Sequence, residues 1–316
     1  MNNSKFLLTG VKGQIGTKLL PRLIEEYGAK NIIATDVLEH IDYSKLSPEL
    51  KYIKLDITDK ENLEYIIKNE GITNICHLAG ILSALAEREP ELAKKVNIDS
   101  VHYIFRLAVK YNLAIFIPST IGVFGPDTPK ENVPLLGIRN PIGFYGVTKL
   151  LMENLGNYYK SFYNVDFRSI RYVGVMSHDE YVGFGSTDYS SEIFFKARKE
   201  EKYTICLSEN RRLPMVYIDD CIDGTINLLK APKEKLKFAT YNMNCCNFDP
   251  KECVEAVRKY YPNLEIEYKP DIRDAISKNW PYHYEDSASR SDWGWNPKYD
   301  TLEKIAEIMY ERTKLH

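Results

Sequence analysis

The chain has 316 residues, and its 42 lysines and arginines stand against 44 aspartates and glutamates, a net charge of −2. The two signs are interspersed, as in Lys233-Glu234-Lys235-Leu236-Lys237, which reads as solvated surface. This leaves no basic face for nucleic acid, and no apolar run reaches the ~18 residues a membrane span requires.

Cys76, Cys206, Cys221, Cys245, Cys246 and Cys253 form no C-x-x-C pair and no His cluster accompanies them. The expectation is no metal, no disulfide framework and a reducing, cytoplasmic setting. The N-terminus enters a strand without a basic region ahead of a longer apolar stretch, so no signal peptide is expected.

Residues 5–9 (Lys-Phe-Leu-Leu-Thr) read as a short buried strand. Gly10-Val-Lys-Gly13-Gln14-Ile15-Gly16 follows at once, and Leu19, Leu20, Leu23 and Ile24 then recur at helical spacing, with Pro21 inside the pattern. Residues 31–36 read as a second strand ending in Asp36. Strand, glycine turn, helix and strand in this order predict a dinucleotide site. The first glycine permits the turn, the second lets the backbone approach a pyrophosphate, and the third packs helix on strand. Gln14 and Ile15 lie at the helix N-terminus, whose N–H groups and dipole suit phosphates. The spacing is G-x-x-G-x-x-G rather than G-x-G-x-x-G. Asp36 is placed for the adenosine ribose hydroxyls, with capping of a turn as its other reading. Its charge would repel a 2′-phosphate, so the expected cofactor is NAD rather than NADP.

Residues 52–56 read as a third strand, which brings Asp56 and Ile57 beside the adenine. An amphipathic helix is expected over 59–69. A fourth strand over 72–79 ends in Leu78-Ala79-Gly80, small residues that let a cofactor lie against the strand end. A long helix over 91–111 contains Asn97, either a cofactor-side group or a satisfied polar group in the core. A fifth strand over 114–118 delivers Ser119 and Thr120 to a carboxyl end, where open α/β sheets place ligands. Residues 126–143, with four prolines, form a loop. A helix bearing Tyr145 follows, and a sixth strand over 166–172 ends at Tyr172. Alternating strands and helices predict an α/β fold with a doubly wound parallel sheet and right-handed crossovers.

After about residue 175 the pattern becomes irregular. Gly183-Phe184-Gly185-Ser186-Thr187-Asp188-Tyr189 is a glycine- and hydroxyl-rich loop before a helix. Short strands are expected at 202–207, 214–218, 238–243 and 264–268, and helices at 219–229, 250–260 and 301–314. The expected division is an NAD-binding part over 1–175, to which about 214–243 returns, and a mainly substrate-binding lobe over 176–316.

Tyr145 and Lys149 lie four apart, one above the other on a helix. A phenol titrates near ~10, too high for a base at neutral pH, and an adjacent ammonium favours the phenolate. Such a pair moves a proton on and off an alcohol.

The set Gly10, Gly13, Gly16, Asp36, Asp56, Leu78-Ala79-Gly80, Asn97, Ser119-Thr120 and Tyr145/Lys149 resembles the extended short-chain dehydrogenase/reductase superfamily over nearly the full length. A second set resembles the short-chain-type L-threonine 3-dehydrogenases. It comprises Leu82-Ser83-Ala84 with Glu87-Arg88, Phe124-Gly125-Pro126 with Thr128-Pro129-Lys130-Glu131-Asn132, Thr187-Asp188-Tyr189, Leu213-Pro214-Met215, Asp219-Asp220 and Asp292-Trp293-Gly294-Trp295.

The resemblance implies a Rossmann fold and NAD-dependent oxidation of L-threonine to 2-amino-3-oxobutanoate, often in a homodimer joined through the 91–111 and 145–163 helices. That product either loses CO2 to give aminoacetone or is cleaved with CoA to glycine and acetyl-CoA. Tyr145 would be the base, and Lys149 would hold the nicotinamide-ribose hydroxyls. Thr120, four residues before Phe124, matches the catalytic hydroxyl, with Ser119 as helper. Ser83, Gly185 and Thr187 are the further substrate-contact candidates, and the 183–189 loop is the expected lid. Arg171 and Arg212 remain open between substrate carboxylate and structural ion pairs. Gly183-Phe184-Gly185-Ser186, Arg211-Arg212 and Tyr282-His283-Tyr284 depart from the relatives' pattern. A sugar-nucleotide epimerase or dehydratase shares the cofactor half but not the second set. A non-catalytic NAD(H) sensor would have no need of Tyr145 and Lys149.

Overall fold

The structure, a computed structural model, describes residues 4–39, 46–179, 185–199 and 202–314. Its strands are β1 (Phe6–Thr9), β2 (Ile32–Asp36), β3 (Lys51–Lys54), β4 (Asn74–His77), β5 (Ala114–Phe116), β6 (Ser119–Thr120) and β7 (Asp166–Tyr172). There follow β8 (Gly174–Met176), β9 (Tyr203–Ile205), β10 (Leu213–Tyr217), β11 (Thr240–Asn242), β12 (Cys246–Phe248) and β13 (Ile266–Tyr268). The large sheet runs β3-β2-β1-β4-β5-β7-β11, with β6 beside β7, and every pairing is parallel. The order reverses between β1 and β4, which opens a crevice at their carboxyl ends. This is the doubly wound α/β sheet the alternation predicted.

Parallel strands are covered on both faces, so they read as unbroken apolar runs. All four residues of β1 are buried, and Leu7 and Leu8 are fully enclosed; each such leucine contributes about 1.5–3 kcal/mol. β3 lies at the sheet edge and carries exposed Lys51 and Lys54 at its two ends, charges that discourage pairing with another chain.

Helix α1 (Gln14–Tyr27) runs unbroken through Pro21. The donor that Pro21 lacks would have gone to the carbonyl of Thr17, an exposed residue. Helices α2 (Lys60–Glu70), α3 (Ser83–Arg88), α4 (Pro90–Lys94) and α5 (Ser100–Tyr111) follow. The expected regular helix over 91–111 is α4 and α5 joined by a π-helical turn over Lys95–Asp99. One extra residue per turn there brings buried Asn97 against the 80–82 loop. Helix α6 (Phe144–Tyr163) buries Gly146, Thr148, Met152, Glu153, Gly156 and Tyr159. Asn164, in the left-handed conformation (φ 54°), ends it.

In the second half, α7 (Tyr189–Arg198), α8 (Ile218–Lys230), α9 (Pro250–Arg258), α10 (Ile272–Ser277), α11 (Ser287–Trp293) and α12 (Leu302–Thr313) surround two small sheets, β12-β10-β8 and β13-β9. Of the 214–243 segment, β11 pairs with β7 in the large sheet, whereas β10 builds a separate sheet with β8 and β12. Helix α8 packs on α1, where Arg22 pairs with Asp223 and Lys230 with Glu26. One buried cluster runs from Leu8, Phe116 and Ile170 through Phe194 and Val216 to Trp295 and Met309. The two halves therefore share a core.

Candidate active site

A cleft of about 260 Å³ opens over the carboxyl ends of β1 and β4. It is lined by Gly10, Gly13, Gln14, Ile15, Gly16, Leu78, Gly80, Ser83, Ser119, Thr120, Tyr145, Lys149, Tyr172, Gly185 and Thr187 of the sequence-derived candidates.

At its first end, Gly10 has φ +71°, and a Cβ there would meet the Ala79 backbone N at 2.7 Å. Glycine is therefore required both by conformation and by the neighbouring strand. Gly13 caps α1 without a side-chain bond, so the helix's first N–H groups remain free toward the cleft. A Cβ on Gly13 would meet only Gly10 O, at 3.4 Å, which leaves room for a ligand's approach. Asp36 ends β2 beside this turn; its Oδ2 accepts from Lys12 N–H (3.0 Å) and its Oδ1 from Leu38 N–H (3.3 Å). These features fit a dinucleotide: free N–H groups for a pyrophosphate and a carboxylate beyond them for ribose hydroxyls.

Asp36, Asp56, Ile57, Ala79 and Asn97 do not line the cleft itself. The Asp56 carboxylate accepts from Thr58 N–H and Oγ1–H, closing a local turn, and Ile57 is buried beside it. Ala79 N–H donates to Thr9 Oγ1 (3.3 Å). Asn97 exchanges two bonds with the Ile81 backbone, each 2.9 Å, and donates to Thr148 Oγ1 (3.3 Å). All these bonds stay within the protein; Asn97 pins the loop between β4 and α3 that carries Ser83. The Tyr172 hydroxyl likewise turns away from the cleft, toward Thr225 Oγ1 (2.5 Å).

Tyr145 and Lys149 project from the first two turns of α6. The helix approaches the turn after β6 closely: a Cβ on Gly146 would fall 2.0 Å from Gly122 O. The Lys149 ammonium lies 5.9 Å from the Tyr145 ring centroid and donates to Pro118 O (2.8 Å). Thr120 Oγ1 accepts from Gly122 N–H (3.1 Å). Burial pushes the Tyr145 phenol up to about 12, against a hydrogen bond with Thr120 that pulls it down. Burial also pushes Lys149 down to about 8, with Glu153 opposing. The expected dominance of Lys149 over the phenol is thus absent from this geometry: desolvation is the larger effect, and the ammonium is directed to Pro118. Ser119 lines the cleft, but its Oγ–H donates to buried Glu153 (2.5 Å), away from any ligand.

The opposite wall comes from the second lobe. Gly185 and Thr187 line it as expected, and Ser186, Asp188 and Trp280 join them. Gly183 and Phe184 of the expected lid lie outside the described residues. Among the described lining residues Asp188 is the one carboxylate and Lys149 the one ammonium. Burial raises the Asp188 carboxyl, and the N–H of Gly185, which donates to it at 2.8 Å, offsets only part of that rise. Ser186 Oγ–H donates to Arg273 O (3.1 Å), tying the loop to α10.

Arg171 is buried and pairs with Glu153, while Arg212 pairs with Asp249 and Glu252; neither reaches the cleft. Sequence reasoning did not single out Asp188, Trp280 or Glu153 as site residues. The available signals were position: Asp188 follows Thr187, and Glu153 lies one turn beyond Lys149. Among the described residues, no group of three or more His, Cys, Asp and Glu side chains is arranged to hold a metal. No helix there is long and apolar enough to cross a membrane.

A family model described as the NAD dependent epimerase/dehydratase family matches residues 6–243. The mitochondrial L-threonine 3-dehydrogenase of Bos taurus is 38% identical over 309 residues, covering 98% of this chain and 82% of that one. The solved L-threonine dehydrogenase from Phytophthora infestans superposes with a TM-score of 0.93 at 38% identity, covering 99% of both chains. A monomeric L-threonine 3-dehydrogenase from a metagenome database gives 0.93 at 39% identity, covering 98% of this chain and 99% of that one.

Proposed function

Because the chain belongs to the NAD dependent epimerase/dehydratase family, we propose that it is an NAD-dependent oxidoreductase that converts L-threonine to 2-amino-3-oxobutanoate. The carrying observation is the cleft itself. A phenol, an ammonium and a threonine hydroxyl meet at one end of a dinucleotide crevice, facing a loop with a single carboxylate. That arrangement is complementary to a small amino acid bearing a secondary alcohol.

Gly10, Gly13, Gln14, Ile15 and Gly16 would hold the pyrophosphate, Asp36 the adenosine ribose, and Lys149 the second ribose. Bound NAD supplies the acceptor for the hydride removed from Cβ, so each turnover yields one ketone, one NADH and one proton. Tyr145 takes the proton from the β-hydroxyl. Thr120 holds the same oxygen and, by its bond to the phenol, favours the base form. Ser83 and Thr187 orient the substrate, and Asp188 receives its ammonium group. Trp280 and the loop at 185–188 exclude water from the reacting carbon. The cofactor is assigned to 1–175 with the returning 214–243 segment, and the substrate mainly to 176–316.

The working form is a homodimer. Val147, Leu151, Tyr158 and Phe162 form an exposed apolar stripe on α6, and Phe162 is 77% exposed. Val109 on α5 and Leu92 on α4, helices that pack against α6, are exposed as well, and a second copy would cover this face. The six free cysteines suit a reducing cytoplasm. The test is NADH formation on mixing the protein with NAD and L-threonine. An epimerase would instead turn over a UDP-sugar without net NADH.

A further inference from the structure

Beneath the cleft lies a charged network that the proton transfer does not itself use. Glu153 is 0% exposed. Its Oε1 accepts from Ser119 Oγ–H (2.5 Å) and Arg171 Nε–H (2.8 Å); its Oε2 accepts from Arg171 (2.8 Å) and Arg139 (2.7 Å). Arg171 is also buried. It donates to Leu135 O and Asn242 Oδ1, both at 2.8 Å, and lies 5.4 Å from the Phe124 ring centroid. Enclosing one carboxylate and a guanidinium costs several kcal/mol before their attraction is counted, and such pairs often add little net stability. The location of this network is therefore informative.

Three connections lead from Glu153 to the reacting groups. It lies four residues after Lys149, on the same face of α6, where side chains are near neighbours. Ser119, which it holds, directly precedes Thr120, and Pro118 O receives the Lys149 ammonium. Ser119 is also in register with Arg171 across β6 and β7. One carboxylate thus ties the catalytic helix to the strand end that delivers Thr120.

We propose that Glu153 is a positioning residue: it locks Pro118, Ser119 and Thr120 onto α6 and sustains the ammonium charge of Lys149. This rests on the reading that Tyr145 and Lys149 move the proton.

The electrostatics have a definite sign. Tyr145, Glu153 and His77 face Lys149 directly, Tyr172 and Asp188 share its cleft, and Arg139 and Arg171 stand one step further out, on the Glu153 carboxylate. His77 is neutral, pushed down to about 3 by burial and by Lys149. Tyr172 is a phenol raised by burial. Arg139, Arg171 and Glu153 together carry a net charge of about +1, which alone would disfavour an ammonium nearby. Glu153 is the anion that offsets the two guanidiniums at closest range. Burial alone would raise its carboxyl, but the Arg171 charge and hydrogen bonds, with those of Ser119 and Arg139, hold it below the ordinary value.

The test reads Lys149 directly in the full-length apo protein. The 13Cε resonance of labelled lysine is followed against pH and assigned by its loss in Lys149→Met. In the wild type the midpoint is expected at about 8. Glu153→Gln removes the anion and should lower it on the order of one pH unit, at an effective dielectric of ~20. Arg139→Gln removes a cation at a half-buried site and should raise the midpoint. A purely structural ion pair would weaken folding in both variants without moving the titration in opposite directions. If Glu153→Gln does not fold, Arg139→Gln decides. Midpoints equal to the wild type in every variant that folds would overturn the proposal. Failure of the parent reading looks different: the wild type would form no NADH from L-threonine, while these titrations remain readable.

Discussion

Asp188→Asn isolates the charge that the substrate's ammonium group is assigned to meet. The substitution keeps the shape and an oxygen able to accept from Gly185 N–H, now at 2.8 Å. What it removes is one charge-assisted hydrogen bond, worth about 1.5–3 kcal/mol in a desolvated site. At 1.36 kcal/mol per tenfold, KM for L-threonine should rise by roughly 10–150-fold. This contact is made equally in ground and transition states, so kcat should change little.

Asp188 also carries a pH signature. Burial raises its carboxyl above the ordinary value. As pH falls through that raised pKa the carboxylate is protonated and the ammonium loses its partner. Wild-type KM should therefore climb on the acid side earlier than an ordinary aspartate would allow, and the asparagine variant should lack that limb. Stability moves the other way. A raised carboxyl favours the folded state at low pH, and that contribution is lost as pH rises through the folded pKa. A neutral amide should thus leave the melting temperature equal or higher. Steady-state kinetics over a pH series, with thermal melts, measure both. A KM within about threefold of wild type, with the acid limb retained, would refute the assignment of the ammonium to Asp188.

Tyr145→Phe deletes the base and leaves the cofactor cradle intact. Turnover should fall by about 10²–10⁴-fold, with NAD affinity by calorimetry unchanged; near-normal turnover would remove Tyr145 from the mechanism. The apolar stripe on α6 predicts sedimentation equilibrium at twice the 36.6 kDa chain mass. Phe162→Glu, on an exposed side chain, should return the protein to single-chain mass. A wild type that stays at that mass across micromolar concentrations contradicts the dimer.

Much of the cofactor end was legible in the chain because its constraints are local. Gly10, Gly13 and Gly16 are dictated by a turn and a helix start, and Asp36 by the end of the next strand. Tyr145 and Lys149 were legible as a helical pair, and Thr120 as a strand-end hydroxyl. What escaped depends on distant partners. The π-helical turn exists because Asn97 reaches the Ile81 backbone, 16 residues earlier. Glu153 gains its meaning from Arg171 and from Ser119, 34 residues before it, so its position on α6 looks like an ordinary charge. The Ser119 hydroxyl reads as a site group until Glu153 is seen to hold it. Strands of three residues, such as β8 and β12, are too short for alternation to declare them. The substrate's identity came from short residue sets in both halves, from Leu82-Ser83-Ala84 to Asp292-Trp293-Gly294-Trp295, because a tyrosine–lysine spacing specifies an alcohol and not which one.

Oxidation of L-threonine is measured directly as NADH absorbance with purified protein, NAD and single candidate substrates. NADH should form with L-threonine, saturably in both substrates, and not with UDP-sugars. No NADH with L-threonine, alongside conversion of a UDP-sugar, would contradict it.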